Sequence, residues 1–213
     1  MFWTFWKKKT KKVEKVEKTV SLYIHLNSRL TIDEAADTYQ KPLKKNSPGI
    51  VINDGSSGGS ATRMANNEIL YAVVDVEAVD SSRKTLDVII DKLNDIGVPV
   101  GSYIKEEAED ASHVSIGHLE GLIVYLTGGS NEDKAWEDID VLNVSSQFKS
   151  ELSNVARIFA VNEYVYGKEK TSVALSAYGV SYDEMLSEFD KNALSVPASY
   201  NVSWEKAPLE IVE

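Results

Sequence analysis

Residues 69–105 read ILYAVVDVEAVDSSRKTLDVIIDKLNDIGVPVGSYIK, and this stretch states three elements together with their boundaries. From Ile69 to Glu77, Leu70, Ala72, Val74 and Val76 alternate with Tyr71, Val73, Asp75 and Glu77, the two-residue period of a strand with unlike faces. Ser81 and Ser82 then offer helix-capping oxygens. Leu86, Ile89, Ile90, Leu93 and Ile96 follow at the spacing of one apolar helical stripe. Gly97 suits a helix C-terminus and Pro99 forbids continuation, so Val100 to Lys105 is free to return as a strand. Burying four of these aliphatic side chains stabilises docking by roughly 6–12 kcal/mol, at about 1.5–3 each. That secures the helix but, against chain entropy, not a domain.

Working towards the N-terminus, Val20, Leu22, Ile24 and Leu26 alternate with Ser21, Tyr23 and His25, a second half-buried strand. Thr31 and Glu34 have capping-box spacing, and the helix they open is expected to end or kink near Lys41, ahead of Pro42. Gly49 to Asn53 reads as a short strand and Asp54 to Asn67 as a Gly/Ser-rich loop. The resulting order, βαββαβ, is that of a ferredoxin-like unit.

Towards the C-terminus the order recurs after the charged tract Glu106 to Asp110. Leu122, Val124 and Leu126 mark a strand ended by Gly128 and Gly129, and helical segments are expected between Glu132 and Val155. Ile158 to Tyr166 and Thr171 to Tyr178 read as a hairpin through Gly167. Ser181 and Glu184 open a further helix striped by Tyr182, Met185, Leu186 and Phe189, with Val202 to Trp204 as a closing strand. The expectation is an α+β protein: two tandem ferredoxin-like (βαββαβ) units with antiparallel sheets and helices on one face. A leader of residues 1–18 precedes units at 19–110 and 111–213.

A 43% hydrophobic and 26% charged composition is that of an ordinary globular protein. With no cysteine there is no disulfide or thiolate chemistry, in keeping with a reducing cytoplasm. The net charge of -10 is uneven: Met1 to Lys18 holds seven Lys against Glu14 and Glu17, leaving 16 basic and 31 acidic residues, a net -15, in the body. That field repels nucleic-acid phosphates and draws basic proteins. Phe2, Trp3, Phe5 and Trp6 before the lysines suit weak contact with an anionic membrane surface, at the inner face of the membrane, but are too few to span it.

Candidate chemistry is sparse. The loop DGSSGGS, 54–60, has glycines that suit an anion cradle but lacks the Lys-Ser/Thr ending of a nucleotide-binding loop, so no cofactor is expected. His25, His113 and His118 show no metal-ligand spacing, and no local nucleophile motif occurs. Tyr23, His25, Tyr71, Tyr125 and Tyr164 fall on the less apolar strand faces, where they are expected to pack between the two sheets or against a second copy of the chain in a homodimer. RNA stacking on these rings is disfavoured by the charge and by the absence of a basic-aromatic motif. Asp87, Asp91 and Asp95 repeat along one side of the second helix and, with Glu106, Glu107, Glu109 and Asp110, offer an acidic docking patch.

By fold and charge the chain resembles the small acidic bacterial immunity proteins that neutralise a basic toxin or nuclease. The resemblance implies a non-enzymatic interaction module that blocks a cationic site with carboxylates. A second reading takes the tandem units as an oxidoreductase or small-ligand-binding barrel, with His25, His113 or His118 as axial ligand or base. A third makes Phe2 to Lys12 a membrane-surface adaptor.

Overall fold

The computed structural model describes residues 19–45, 50–51, 59–63, 68–107, 112–128, 139–166 and 170–211. Within them the protein is α+β, with antiparallel strand pairing in two sheets and few helices. The first sheet is built from β1 (Val20–Leu26), β2 (Ile50–Val51), β3 (Gly59–Arg63), β4 (Ile69–Ala78), β5 (Ser102–Glu106) and β6 (Val114–Ile116). Its order is β2-β4-β1-β5-β6, with β3 also on the outer edge of β4. The second sheet joins β7 (Glu120–Gly128), β8 (Ala156–Tyr166), β9 (Lys170–Gly179) and β10 (Tyr200–Lys206) in the order β10-β7-β9-β8.

The helices form where local chemistry starts and stops them. For α1 (Ile32–Ala35), Thr31 accepts from the Glu34 N–H while the Glu34 carboxylate accepts from the Thr31 N–H, a complete capping box. For α3 (Arg83–Ile96), Ser82 accepts from the Thr85 N–H, and Gly97 closes the end at φ 97°, a conformation other residues rarely adopt. A Cβ at Gly97 would lie 2.8 Å from Leu119 Cδ1, so packing as well as backbone demands glycine there. Asp140 caps α4 (Val141–Leu152), and Ser181 accepts from the Glu184 N–H at the start of α5 (Tyr182–Glu188).

Of the two outcomes expected at Pro42, an end or a kink, the helix does not end. The helix instead widens into a π-segment, Ala36–Gln40, in which the Lys41 N–H reaches back to the Ala36 carbonyl, and it continues as α2 (Lys41–Lys44). A proline lacks an N–H and clashes with the carbonyl four residues earlier, and a widened turn just ahead of it accommodates both problems.

Each sheet buries one face under helices. Leu22, Ile24, Leu26, Val74 and Val76 pack with Tyr39, Leu43, Ile89 and Leu93 in one cluster. Leu122, Val124, Leu126 and Leu175 pack with Val144, Phe148 and Met185 in the other. The helix-free side of the second sheet is also covered, because Ile123, Ile158, Ala160, Ala174 and Tyr178 belong to the first cluster, beside Leu26, Leu30, Val98 and Leu119. These partners gather at the end of the first layer pair where β1 leaves the sheet and α3 stops. The second sheet therefore seats its bare face on that end rather than on the first sheet's own bare face.

Two strands lie where none was expected. Gly59–Arg63, inside the expected loop, pairs with Ile69–Val74 as β3, since backbone hydrogen bonds need no apolar pattern. On β4, between the residues paired with β2 and those paired with β3, the Asp75 carbonyl accepts from Gln40 Nε2 at 2.8 Å. Val114–Ile116 lies beyond the charged tract yet pairs with β5, and the Val100 N–H donates to the Leu119 carbonyl at 2.8 Å. The chain thus doubles back on the first sheet before entering β7.

Candidate binding face

Strand alternation sends Tyr23, His25, Tyr71, Val73, Asp75, Glu77, Tyr103 and Lys105 to the side of the first sheet opposite its helices. Register then decides which of them meet. His25 is paired with Tyr103 on β5 and with Val73 on β4, and the His25 and Tyr103 rings stack at 4.3 Å and 15°. Tyr71 lies 6.1 Å from His25 on one side, and His113 lies 5.1 Å from Tyr103 on the other at 51°. Four rings from β4, β1, β5 and the approach to β6 form a row across the strands, each half-buried except the exposed His113. Side-by-side aromatics of this kind stabilise a pair by about 0.5–1.5 kcal/mol beyond their burial.

Towards the other end of β1 the face turns acidic. Tyr23 is paired with Asp75 and with Lys105, and its phenol donates to the Glu107 carboxylate. Burial, followed by the charges of Glu107 and Asp75, raises the Tyr23 pKa. Asp75 also has a raised pKa, from burial first and then from the Glu107 charge. Glu77 accepts from Thr19 Oγ1 at 3.3 Å. The face thus sets a strip of rings beside carboxylates held close enough to oppose one another's ionisation.

The row of rings runs out at an open cavity of about 630 Å³ between the β5–β6 edge and the C-terminal segment Leu209–Ile211. That segment is held in place by Asn27, whose Nδ2 donates to Pro208 O at 2.7 Å and to Val100 O at 2.8 Å.

The expected site residues divide. Tyr23, His25 and Tyr71 share the face. Tyr125 does not: it lies on the second sheet, in the seam between the two halves, where its hydroxyl donates to Glu205 Oε1 at 2.7 Å and the Arg29 guanidinium sits 5.5 Å from its ring centre. Tyr164 is opposite Ser172 in the β8–β9 ladder, and its side chain is outside the described residues. Asp87, Asp91 and Asp95 stand on α3, the helix layer, where Asp87 pairs with Arg83 Nε at 2.8 Å. Glu107 serves the opposite side of the sheet, and Glu106, paired with the core residue Leu22, points back towards the helices. The sheet therefore separates the acids of α3 from the Asp75 and Glu107 cluster. Glu109, Asp110 and the membrane-contact residues Phe2, Trp3, Phe5 and Trp6 are outside the described residues.

The histidines considered as ligand or base are equally divided. His25 and His113 flank Tyr103, whereas His118 is exposed in the turn before β7, its N–H donating to Val98 O at 2.8 Å. Among the described residues no group of three or more His, Asp or Glu side chains is placed to hold a metal ion. No helix among them is long and apolar enough to cross a membrane. Sequence reasoning missed Tyr103 and His113 as members of the row. The alternation of Tyr103 with Ser102 and Ile104 was the available signal for the first; nothing local announces the second.

The seam between the halves holds a polar cluster of its own. Arg29 and Glu68 form a buried ion pair, the Arg29 N–H donates to Tyr178 Oη at 2.9 Å, and Asn162 Nδ2 donates to Arg29 O at 2.7 Å. Burial raises the Tyr178 pKa, so its phenol stays neutral and available as a hydrogen-bond partner.

No family model matches the chain, and no curated protein does. Solved structures include a protein provisionally assigned as a glycine cleavage system transcriptional repressor, with 12% identity, 88% of this chain and 96% of that one covered, and a TM-score of 0.32. A protein of unknown function from Galdieria sulphuraria aligns at 10% identity, covering 89% and 99%, with a TM-score of 0.28. The first two RRM domains of the yeast poly(U) binding protein Pub1 align at 13% identity, covering 86% and 98%, with a TM-score of 0.21. At these TM-scores the likenesses carry no argument about fold or function.

Proposed function

We propose that the chain is a tandem ferredoxin-like interaction module that holds a basic segment of a partner protein on the helix-free face of its first sheet. The duplication reading is supported by strand order: numbered within each half, both sheets run fourth, first, third, second, counting β2 and β3 as one interrupted second strand and setting aside β6, which extends the first sheet beyond its fourth strand. The observation that carries the binding reading is the joining of the Tyr71, His25, Tyr103 and His113 rings to Asp75, Glu77 and Glu107 on one surface. Ring faces attract cations through their quadrupole and carboxylates attract them directly. The body charge of -15 steers a basic partner towards the surface. Neutralisation of a basic toxin, as by an immunity protein, is the specific case this chemistry suits best.

The test is calorimetric titration of the full chain with a Lys/Arg-rich peptide and with an acidic peptide of equal length, at about 50 and about 300 mM salt. Binding of the basic peptide alone, weakening with salt, is the expected result. Further, Asp75→Asn with Glu107→Gln should weaken it at least about tenfold, while Asp91→Asn with Asp95→Asn leaves it unchanged. Equal binding of the two peptides, or loss confined to the α3 variant, refutes the assignment to this face.

A further inference from the structure

The cavity at the β5–β6 edge has a composition that the rest of the acidic face lacks. One wall is made by the Tyr103 and His113 rings, inclined at 51° with centres 5.1 Å apart. The facing wall is the segment Leu209, Glu210 and Ile211, with Ser115 among the lining residues, and Glu210 also borders the small cavity beside Asn27 and Arg29. The closeness of the walls is built in: Gly101 has φ 86°, and a Cβ there would collide with the Leu209 carbonyl, so only glycine lets the segment approach the strand. At about 630 Å³ the space exceeds one amino-acid side chain and lies in the range of pockets that hold a whole ligand group with its flanking atoms.

Rings, a short apolar stem contact and a single carboxylate are complementary to a planar cation on an aliphatic chain. A guanidinium stacks on aromatic faces, is weakly hydrated and meets a carboxylate through two parallel N–H groups. A lysine ammonium is compact and strongly hydrated, so it gains less from the ring wall and cannot form the paired contact with a carboxylate. We infer that this cavity is the anchoring subsite for an arginine side chain of the basic segment, an inference that rests on the binding reading above. The row of rings leads into it, so a chain lying across the strands delivers one side chain to the cavity while its other cations reach Asp75 and Glu107.

The experiment uses the full chain and two peptides of equal length and charge, one whose cations are all arginine and one whose cations are all lysine. The arginine peptide is expected to bind about tenfold more tightly. Glu210→Gln, at an exposed position that leaves folding intact, should bring the arginine peptide towards the lysine peptide's affinity, and Tyr103→Leu, which also shortens the shared row of rings, should weaken the arginine peptide more than the lysine peptide. Equal affinities in the parent chain, or a gap that survives both substitutions, overturn the arginine subsite while leaving the acidic face standing. Failure of both peptides to bind overturns the subsite and the reading beneath it together.

Discussion

Replacing Arg29 with Met tests how the two halves are joined. The Arg29 and Glu68 side chains are 8% and 10% exposed, and Arg29 also ties the seam through its backbone, to Tyr178 on one side and Asn162 on the other. Met keeps the length and apolar stem and leaves both backbone hydrogen bonds available, so the change isolates the charge. Removing one member of a buried pair strands the other, at a cost of about 3–5 kcal/mol. Tyr125 Oη, 3.4 Å from Glu68 Oε1, offsets part of that cost when its one proton turns from Glu205 to Glu68, which favours a value of about 3 kcal/mol. In a chain of this length that lowers Tm by roughly 6–12 °C, at about 2–4 °C per kcal/mol. The double variant Arg29→Met/Glu68→Leu removes both charges and should recover most of the loss, because the desolvation penalty disappears with the pair. Urea unfolding followed by tryptophan fluorescence gives all three stabilities, and the slope with denaturant shows whether the halves still unfold together. A loss under about 1 kcal/mol for Arg29→Met, or a double variant whose cost equals the sum of the singles, would refute the argument.

Tyr178→Phe removes the acceptor of the buried Arg29 N–H with little change in volume, and the expected cost is about 1–3 kcal/mol in the same assay. Full stability in that variant would mean the hydroxyl holds nothing in the seam. Asp75→Asn should show a pH signature. The folded carboxyl has a pKa above its ordinary 3.8, so its ionised form opposes folding at neutral pH, and the opposition fades as pH falls through the folded pKa and is gone below the unfolded value. The variant is therefore more stable than the parent at pH 7, and the two converge in acid. Urea midpoints that diverge on acidification would reverse the sign and dismiss the crowding of Asp75 by burial and Glu107.

Much of the first half was open to inspection because its signals are local. The alternation in Ile69–Ala78, the stripe of Leu86 to Ile96, the cap at Ser82 and the stop at Gly97 each concern residues within a few positions of one another, where backbone geometry and solvent exposure act directly. The same holds for the Thr31 and Glu34 box. Elements that depend on a distant partner were not legible. The strand Gly59–Arg63 has no apolar pattern and exists because the edge of β4 offers it hydrogen bonds, and Val114–Ile116 is a strand by virtue of β5. Pro42 was read by its local rule alone, and a widened turn upstream altered the outcome.

The candidate site divides along the same line. That Tyr23, His25 and Tyr71 lie on less apolar strand faces follows from period two, a property of each strand by itself. That His25 meets Tyr103, that His113 extends the row, that Tyr125 is drawn into the seam and that Arg29 finds Glu68 39 residues away are matters of register and packing. A shift of one residue in the β1–β5 pairing would carry Tyr103 to the side of the sheet opposite His25 while leaving each strand's own pattern intact. The linear chain thus determined the elements that carry their own periodicity and caps, and which side chains those present, because these depend on neighbours along the backbone. Only the folded structure decided which presented side chains touch, because that depends on contacts between segments far apart in sequence.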